Sequence, residues 1–266
     1  FCVAGREFVC SVRVYHECVG EWVVTEEPSC ERSGSEEEIC VECGKVISTR
    51  ELPALGHNYV DCVCENCYKV RYLDEASKSV ILSEKICREN GIGLSETVVI
   101  PSHVFVNGEE YKVTGLGTGL FNENTDVTRI VLPDTIRYLA DFVCNSCSNL
   151  KSIEMQDGVL YIGKAAFQCC YALESIEIPD SVEYIGDFAY NHCSGATNSV
   201  IELPSSLVQI GRNSYHPAHA FYDCGKDRVF TAFSISSENE YYRVEEGILY
   251  TKAGNTLASP PRGWPS

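Results

Sequence analysis

LKSIEMQDGVLYIGKAAFQCC (150–170) is followed two residues later by LESIEIPDSVEYIGDFAYNHC (173–193). The second stretch repeats the first at an interval of 23 residues, and Cys147, Cys170 and Cys193 mark the period. Self-similarity of this length around an L-x-x-I-x-I core specifies stacked coils, because one coil cannot bury its apolar face alone. Working outward, one pair of positions is filled by Ile130/Leu132, Ile153/Met155, Ile176/Ile178 and Ile201/Leu203, with Val98/Ile100 before them and Phe233/Ile235 after. Alternate side chains of each short strand should point inward. A Leu/Ile-Gly column follows at Leu116-Gly117, Ile162-Gly163, Ile185-Gly186 and Ile210-Gly211. An aromatic column then holds Phe121, Phe167, Tyr190 and Phe221, with Cys144 in the same register.

Departures from the period mark candidate loops. Two extra residues lie between Cys193 and Ile201, and six more between Gly211 and Phe221. The longer insertion, in RNSYHPAHAF, carries Tyr215, His216 and His219, and insertions on a solenoid face often carry binding. In HVFVNGEEYKV, Asn107-Gly108 between alternating apolar residues signals a hairpin.

These residues resemble the BspA-type leucine-rich repeats of bacterial surface proteins. The resemblance rests on IEIPDSVEYIG (176–186), AAFQCC (165–170), AFYDC (220–224) and the closing VEEGILYTKAGNTLASPP (244–261), and it covers roughly 96–259. It implies a cell-surface or secreted protein used in adhesion, often to host matrix proteins, and it defines no binding residue by position. The expected fold is a leucine-rich-repeat solenoid of parallel β coils over 76–266, preceded by a small Cys-rich β-type module over 1–75.

That first module holds nine of the sixteen cysteines and none of the repeat. It is too short to rely on an apolar core alone. Cys40-x2-Cys43-Gly44 and Cys64-x2-Cys67, twenty residues apart, sit at the edge of zinc-ribbon spacing, and two such knuckles supply the four thiolates of a tetrahedral zinc site. A Cys-dense secreted module is equally read as a disulfide framework, and free thiols are the third reading. The stretch CERSGSEEEICVECGKVISTRELPALGHNY also resembles a Cys-rich repeat of Gram-positive surface proteins, which implies an alternative ligand set of Cys30, Cys40, Cys43 and His57. In the solenoid, parallel Cβ vectors about 4.8 Å apart miss disulfide geometry, so the column cysteines are expected as buried thiols.

Composition narrows the function. Lys and Arg number 21 against 38 Asp and Glu, giving −17 and a pI near 4.7. Such a surface repels phosphate backbones and anionic membrane surfaces, so nucleic acid is not an expected partner. No apolar run approaches 18 residues, so no membrane insertion is expected. H-E-x-x-H and G-x-S-x-G do not occur. GLGTGL (115–120) falls in the repeat columns, with Gly119 at the position where Ala165 supplies a small residue, and is read as structure rather than as a phosphate loop. His192-Cys193 is discounted as a catalytic pair because Cys193 faces the core. If the Ile pairs point inward, the residue between each pair points out, and Glu154, Glu177 and Glu202 then form a file that is read either as a solvated face keeping an exposed sheet soluble or as a docking strip for a basic protein segment. The reading is an extracellular, non-catalytic binding protein whose partner is a host or neighbouring-cell surface or matrix protein. The alternatives are a spacer presenting another domain, or the non-catalytic part of a secreted hydrolase.

Overall fold

The computed structural model describes residues 19–55, 72–211, 220–224 and 232–252, and the backbone alone at 2–3, 6–7, 59–60, 63–64 and 257–259. The chain divides into two compact units, one of Phe1–Asn58 with Glu65–Cys67, the other of Tyr59–Cys64 with Tyr68–Ser266.

In the first unit, strands Gly20–Glu26, Gly34–Cys40 and Val46–Leu52 form an antiparallel sheet in that order. Arg50 lies over the Trp22 ring, 4.0 Å from its centroid, and pairs with Glu36, so the cation screens an exposed aromatic. The outer strands are exposed nearly throughout, and burial falls on the middle strand.

The second unit is a stack of coils with two parallel sheets. One sheet pairs Glu96–Val99, Val127–Val131 and Ser152–Glu154 in register, so that Val98, Ile130 and Ile153 are neighbours. The other comes from the Leu/Ile-Gly column: Ser79–Leu82, Glu109–Leu116, Tyr138–Leu139, Tyr161–Ile162, Tyr184–Ile185 and Gln209–Ile210 pair successively. Gly163 and Gly186 let these coils close up, since a Cβ at either would stand 2.4–2.5 Å from the backbone of the preceding coil. Asn107-Gly108 makes the expected two-residue hairpin, with Val106 opposite Glu109 and both turn residues at positive φ.

Between the sheets lies the core. Phe121, Cys144, Phe167, Tyr190 and Phe221 are all buried, and the Tyr190 ring stacks 5.1 Å from Phe167 and 5.6 Å from Phe221. The column cysteines are buried thiols, and they also donate. Cys147, Cys170, Cys193 and Cys224 each bond the carbonyl at the aromatic position one coil earlier, those of Phe121, Cys144, Phe167 and Tyr190, at 2.9, 3.1, 3.2 and 2.7 Å. A second file, Tyr138, Tyr161 and Tyr184, stacks on the opposite side of the second sheet with centroids 4.7 and 4.4 Å apart.

Two expectations are revised. Gly119 stands in a column with Phe142, Ala165 and Phe188, and all four have positive φ. The position demands a left-handed backbone, not a small side chain. The second revision concerns the Ile176/Ile178 rung, which was expected to be one more strand. It pairs with neither neighbour, and the first sheet resumes only as Val200–Leu203 with Ala232–Ile235. The cause is in the two-residue insertion. Asn198 Oδ1 accepts the Ile176 N–H at 2.8 Å and its Nδ2 donates to the Ile176 carbonyl at 3.3 Å, so a side chain takes the place of a strand.

The far end of the stack is tied by another asparagine. Buried Asn239 donates to the carbonyls of Ser205 and Leu207 and accepts from the amides of Tyr241 and Tyr242, while the Tyr242 hydroxyl accepts the Ile210 N–H at 2.9 Å. All of its amide hydrogen-bonding groups are used, which fixes the closing antiparallel strands Tyr242–Glu245 and Ile248–Thr251 on the last coil.

Candidate binding face

The outward side of the first sheet carries the predicted file. It opens with Val99, 64% exposed, and Val131, then turns acidic at Glu154, Glu177 and Glu202 before ending at Ser234. The three carboxylates differ. Glu154 is half-buried and paired with Arg129 of the preceding strand, Nε to Oε1 at 2.7 Å. Glu177 and Glu202 are exposed; among the described residues Glu177 accepts only from the Ser175 hydroxyl, at 3.0 Å. The sequence reading missed a parallel file three residues further on, Asp134, Asp157 and Asp180. Asp180 also caps the next coil, accepting from the Ser205 amide at 2.7 Å and its hydroxyl at 3.0 Å.

Where the sheet is interrupted, the face opens into clefts. The coils stay joined at their base, where the Glu174 amide bonds the Lys151 carbonyl at 2.9 Å and the Thr197 amide bonds the Glu174 carbonyl at 3.0 Å. Beyond it they part. One cleft is lined by Glu154, Met155, Asp157, Glu177 and Ile178, and a second by Glu177, Ile178, Asn198, Val200 and Glu202. A third, lined by Asp180, Glu202, Ser234 and Glu238, continues the same face. Met155 and Ile178, expected in the core, are only partly buried there, as is Ile153 on the adjoining strand, whereas Leu132, where the sheet is closed, is 2% exposed.

Tyr215, His216 and His219 lie outside the described residues, as do His57, Cys67 and the side chain of Cys64. Cys40 and Cys43 sit on the turn joining two strands, which closes through Gly44 N–H to the Cys40 carbonyl and Cys40 N–H to the Lys45 carbonyl, both 2.9 Å, with Gly44 at φ +67. Cys40 is buried and Cys43 exposed. This turn suits a pair of thiolate ligands. Cys30 lies in the turn that joins the first two strands and is buried. Among the described residues, no three His, Cys, Asp or Glu side chains are arranged to hold a metal ion.

The candidate catalytic pair does not form. Cys193 is buried, and burial pushes its thiol well above the usual range, which suppresses the nucleophilic thiolate. His192 turns to Asp223, Nδ1 to Oδ2 at 3.0 Å. No helix among the described residues is long and apolar enough to cross a membrane.

The family model for the BspA type leucine rich repeat region matches residues 114–237, in 6 copies. This segment is a BspA-type leucine-rich repeat region. Such repeats point to protein interaction rather than to catalysis. A leucine-rich repeat protein from Bacteroides ovatus is 30% identical with a TM-score of 0.41, over 49% of this chain and 33% of its own. A T. pallidum leucine rich repeat protein is 28% identical with a TM-score of 0.45, over 53% and 59%. A leucine rich cell surface protein from Faecalibacterium prausnitzii is 21% identical with a TM-score of 0.35, over 64% and 55%. The chain thus spans less than two thirds of each of these proteins. Comparison with curated proteins finds no match.

Proposed function

We propose that this chain is the protein-binding part of an extracellular bacterial surface protein, and that the repeat region engages a cationic segment of a host or neighbouring-cell protein in adhesion. The observation that carries the reading is the exposed acidic face of the first sheet, where Glu177 and Glu202 stand clear of any cation partner among the described residues. A net charge of −17 favours steering of a basic partner to that face. A solenoid offers its partner an extended surface, which suits a protein segment better than a small molecule. The test is binding of the full chain to a panel of purified matrix and surface proteins, beside a Glu177→Gln/Glu202→Gln variant. A partner whose affinity is unchanged in the variant would remove the acidic face from the interaction.

A further inference from the structure

The break in the first sheet gives this face more than charge, and what it adds selects among cations. The amides of Met155, Glu177 and Ile178 and the carbonyl of Glu177 have no hydrogen-bond partner among the described residues, because the strand pairing that would use them is missing. The same opening leaves Met155 and Ile178 partly exposed between rungs that each carry a carboxylate, Glu154 with Asp157 on one side and Glu177 on the other. The neighbouring cleft repeats this plan with Ile178 lining it and Glu177 and Glu202 on its two rungs.

We propose that these two clefts take arginine side chains of an extended protein segment, with the aliphatic stems on Met155 and Ile178 and the guanidinium groups held between the carboxylates of adjacent rungs. This rests on the acidic-face reading above and deepens it. An arginine stem covers apolar surface while its head stays with polar groups. The planar guanidinium offers five donors in a fixed fork, so it can bond carboxylates on both walls and, in the first cleft, the unpaired Glu177 carbonyl, while the backbone carbonyls of the seated segment accept from the unpaired amides. A lysine ammonium is a strongly hydrated point charge on a flexible stem, and it forgoes that bridging geometry. The clefts exist because Asn198 holds Ile176 away from strand pairing.

Hexa-arginine and hexa-lysine peptides test the proposal on the intact chain, with affinity read by titration and amide exchange read by mass spectrometry over 150–205. The expected result is at least tenfold tighter binding of hexa-arginine, with exchange at Glu177 and Ile178 slowed only by that peptide. Glu177→Gln, which removes the carboxylate shared by both clefts, should bring the two peptides to similar affinities. Equal affinity of the two peptides for the unaltered chain overturns the cleft proposal and leaves the acidic-face reading standing. So does tight hexa-arginine binding with unchanged exchange at 175–178. Binding of neither peptide overturns both.

Discussion

The amide side chain of Asn198 pairs with the backbone of Ile176 as a strand would, accepting its N–H at 2.8 Å and donating to its carbonyl at 3.3 Å. Ile176 is buried, so these groups cannot fall back on bulk water without cost. Asn198→Ala should therefore destabilise the chain by about 1–3 kcal/mol, the cost of leaving buried polar groups unpaired. Asn198→Asp keeps the acceptor and loses the donor, and should fall between the two. Denaturant unfolding followed by fluorescence reads both; wild-type midpoints for each would show that the pairing carries no weight.

The aromatic column makes a paired prediction of opposite sign. Phe167 is fully buried and stacked on Tyr190, so Phe167→Ala should cost about 3–5 kcal/mol through the cavity it leaves. Tyr190 occupies the next coil, but its hydroxyl is buried without a hydrogen-bond partner among the described residues. Tyr190→Phe removes that orphaned group while keeping the ring, and should leave stability unchanged or raise it by about 1 kcal/mol. A reversible denaturation series settles each sign. A loss below about 1 kcal/mol for Phe167→Ala would argue against a continuous core.

The repeat made much of this fold legible, and its interruptions hid the rest. The column spacing was enough to place Phe167, Tyr190 and the thiols inside, because a fixed period and alternation leave no other face for them. Asn107-Gly108 was equally readable, since only a few residue pairs suit a two-residue hairpin. The file of Tyr138, Tyr161 and Tyr184 repeats every 23 residues and was passed over. It lies on the outer side of strands whose inner side had already accounted for the Leu/Ile column. Asp134, Asp157 and Asp180 recur at the same period and were likewise passed over. The missing strand at Ile176 was legible only as the two-residue insertion between Cys193 and Ile201, which marked a departure from the period but not what it displaces. The local sequence there is as regular as its neighbours, and the cause lies 22 residues away in the side chain of Asn198.

Thiol reactivity separates the column cysteines from Cys43. Burial pushes the thiols of Cys170 and Cys193 well above their ordinary range, and both also donate to carbonyls, so alkylating reagents should reach them only after unfolding. Cys43 is exposed on its turn and should react in the native chain. We propose in addition that Cys40 and Cys43 hold zinc together with Cys64 and Cys67, in which case chelator should speed labelling of Cys43 severalfold while the column cysteines stay protected. Peptide mapping of the alkylated protein reads all of these sites in one experiment. Labelling of Cys43 at the same rate with and without chelator would end the zinc proposal, and native-state labelling of Cys170 would contradict its burial.

The three glutamates of the outward file should not contribute equally to capture of a basic partner. Glu154 already faces Arg129, whose guanidinium offsets its charge, while Glu177 and Glu202 present theirs to solvent. Exposed charges act mainly on encounter, and their reach shrinks to about 8 Å at physiological ionic strength. Association of a basic partner or of hexa-arginine should therefore slow as salt rises. Glu177→Gln and Glu202→Gln should each reduce the association rate several-fold at low salt, and Glu154→Gln should reduce it less. Arg129→Gln should do the reverse of Glu154→Gln, since it uncovers a carboxylate, and should quicken association. None of these substitutions removes a core side chain, so thermal unfolding should stay close to wild type and the rates remain interpretable. Stopped-flow association at two salt concentrations distinguishes the cases. Equal slowing by all three Glu→Gln variants would mean that Arg129 does not mask Glu154. Unchanged rates in all three would mean that the partner docks elsewhere, and Tyr215, His216 and His219 of the insertion would then be substituted next, because aromatic and imidazole anchors do not depend on net charge.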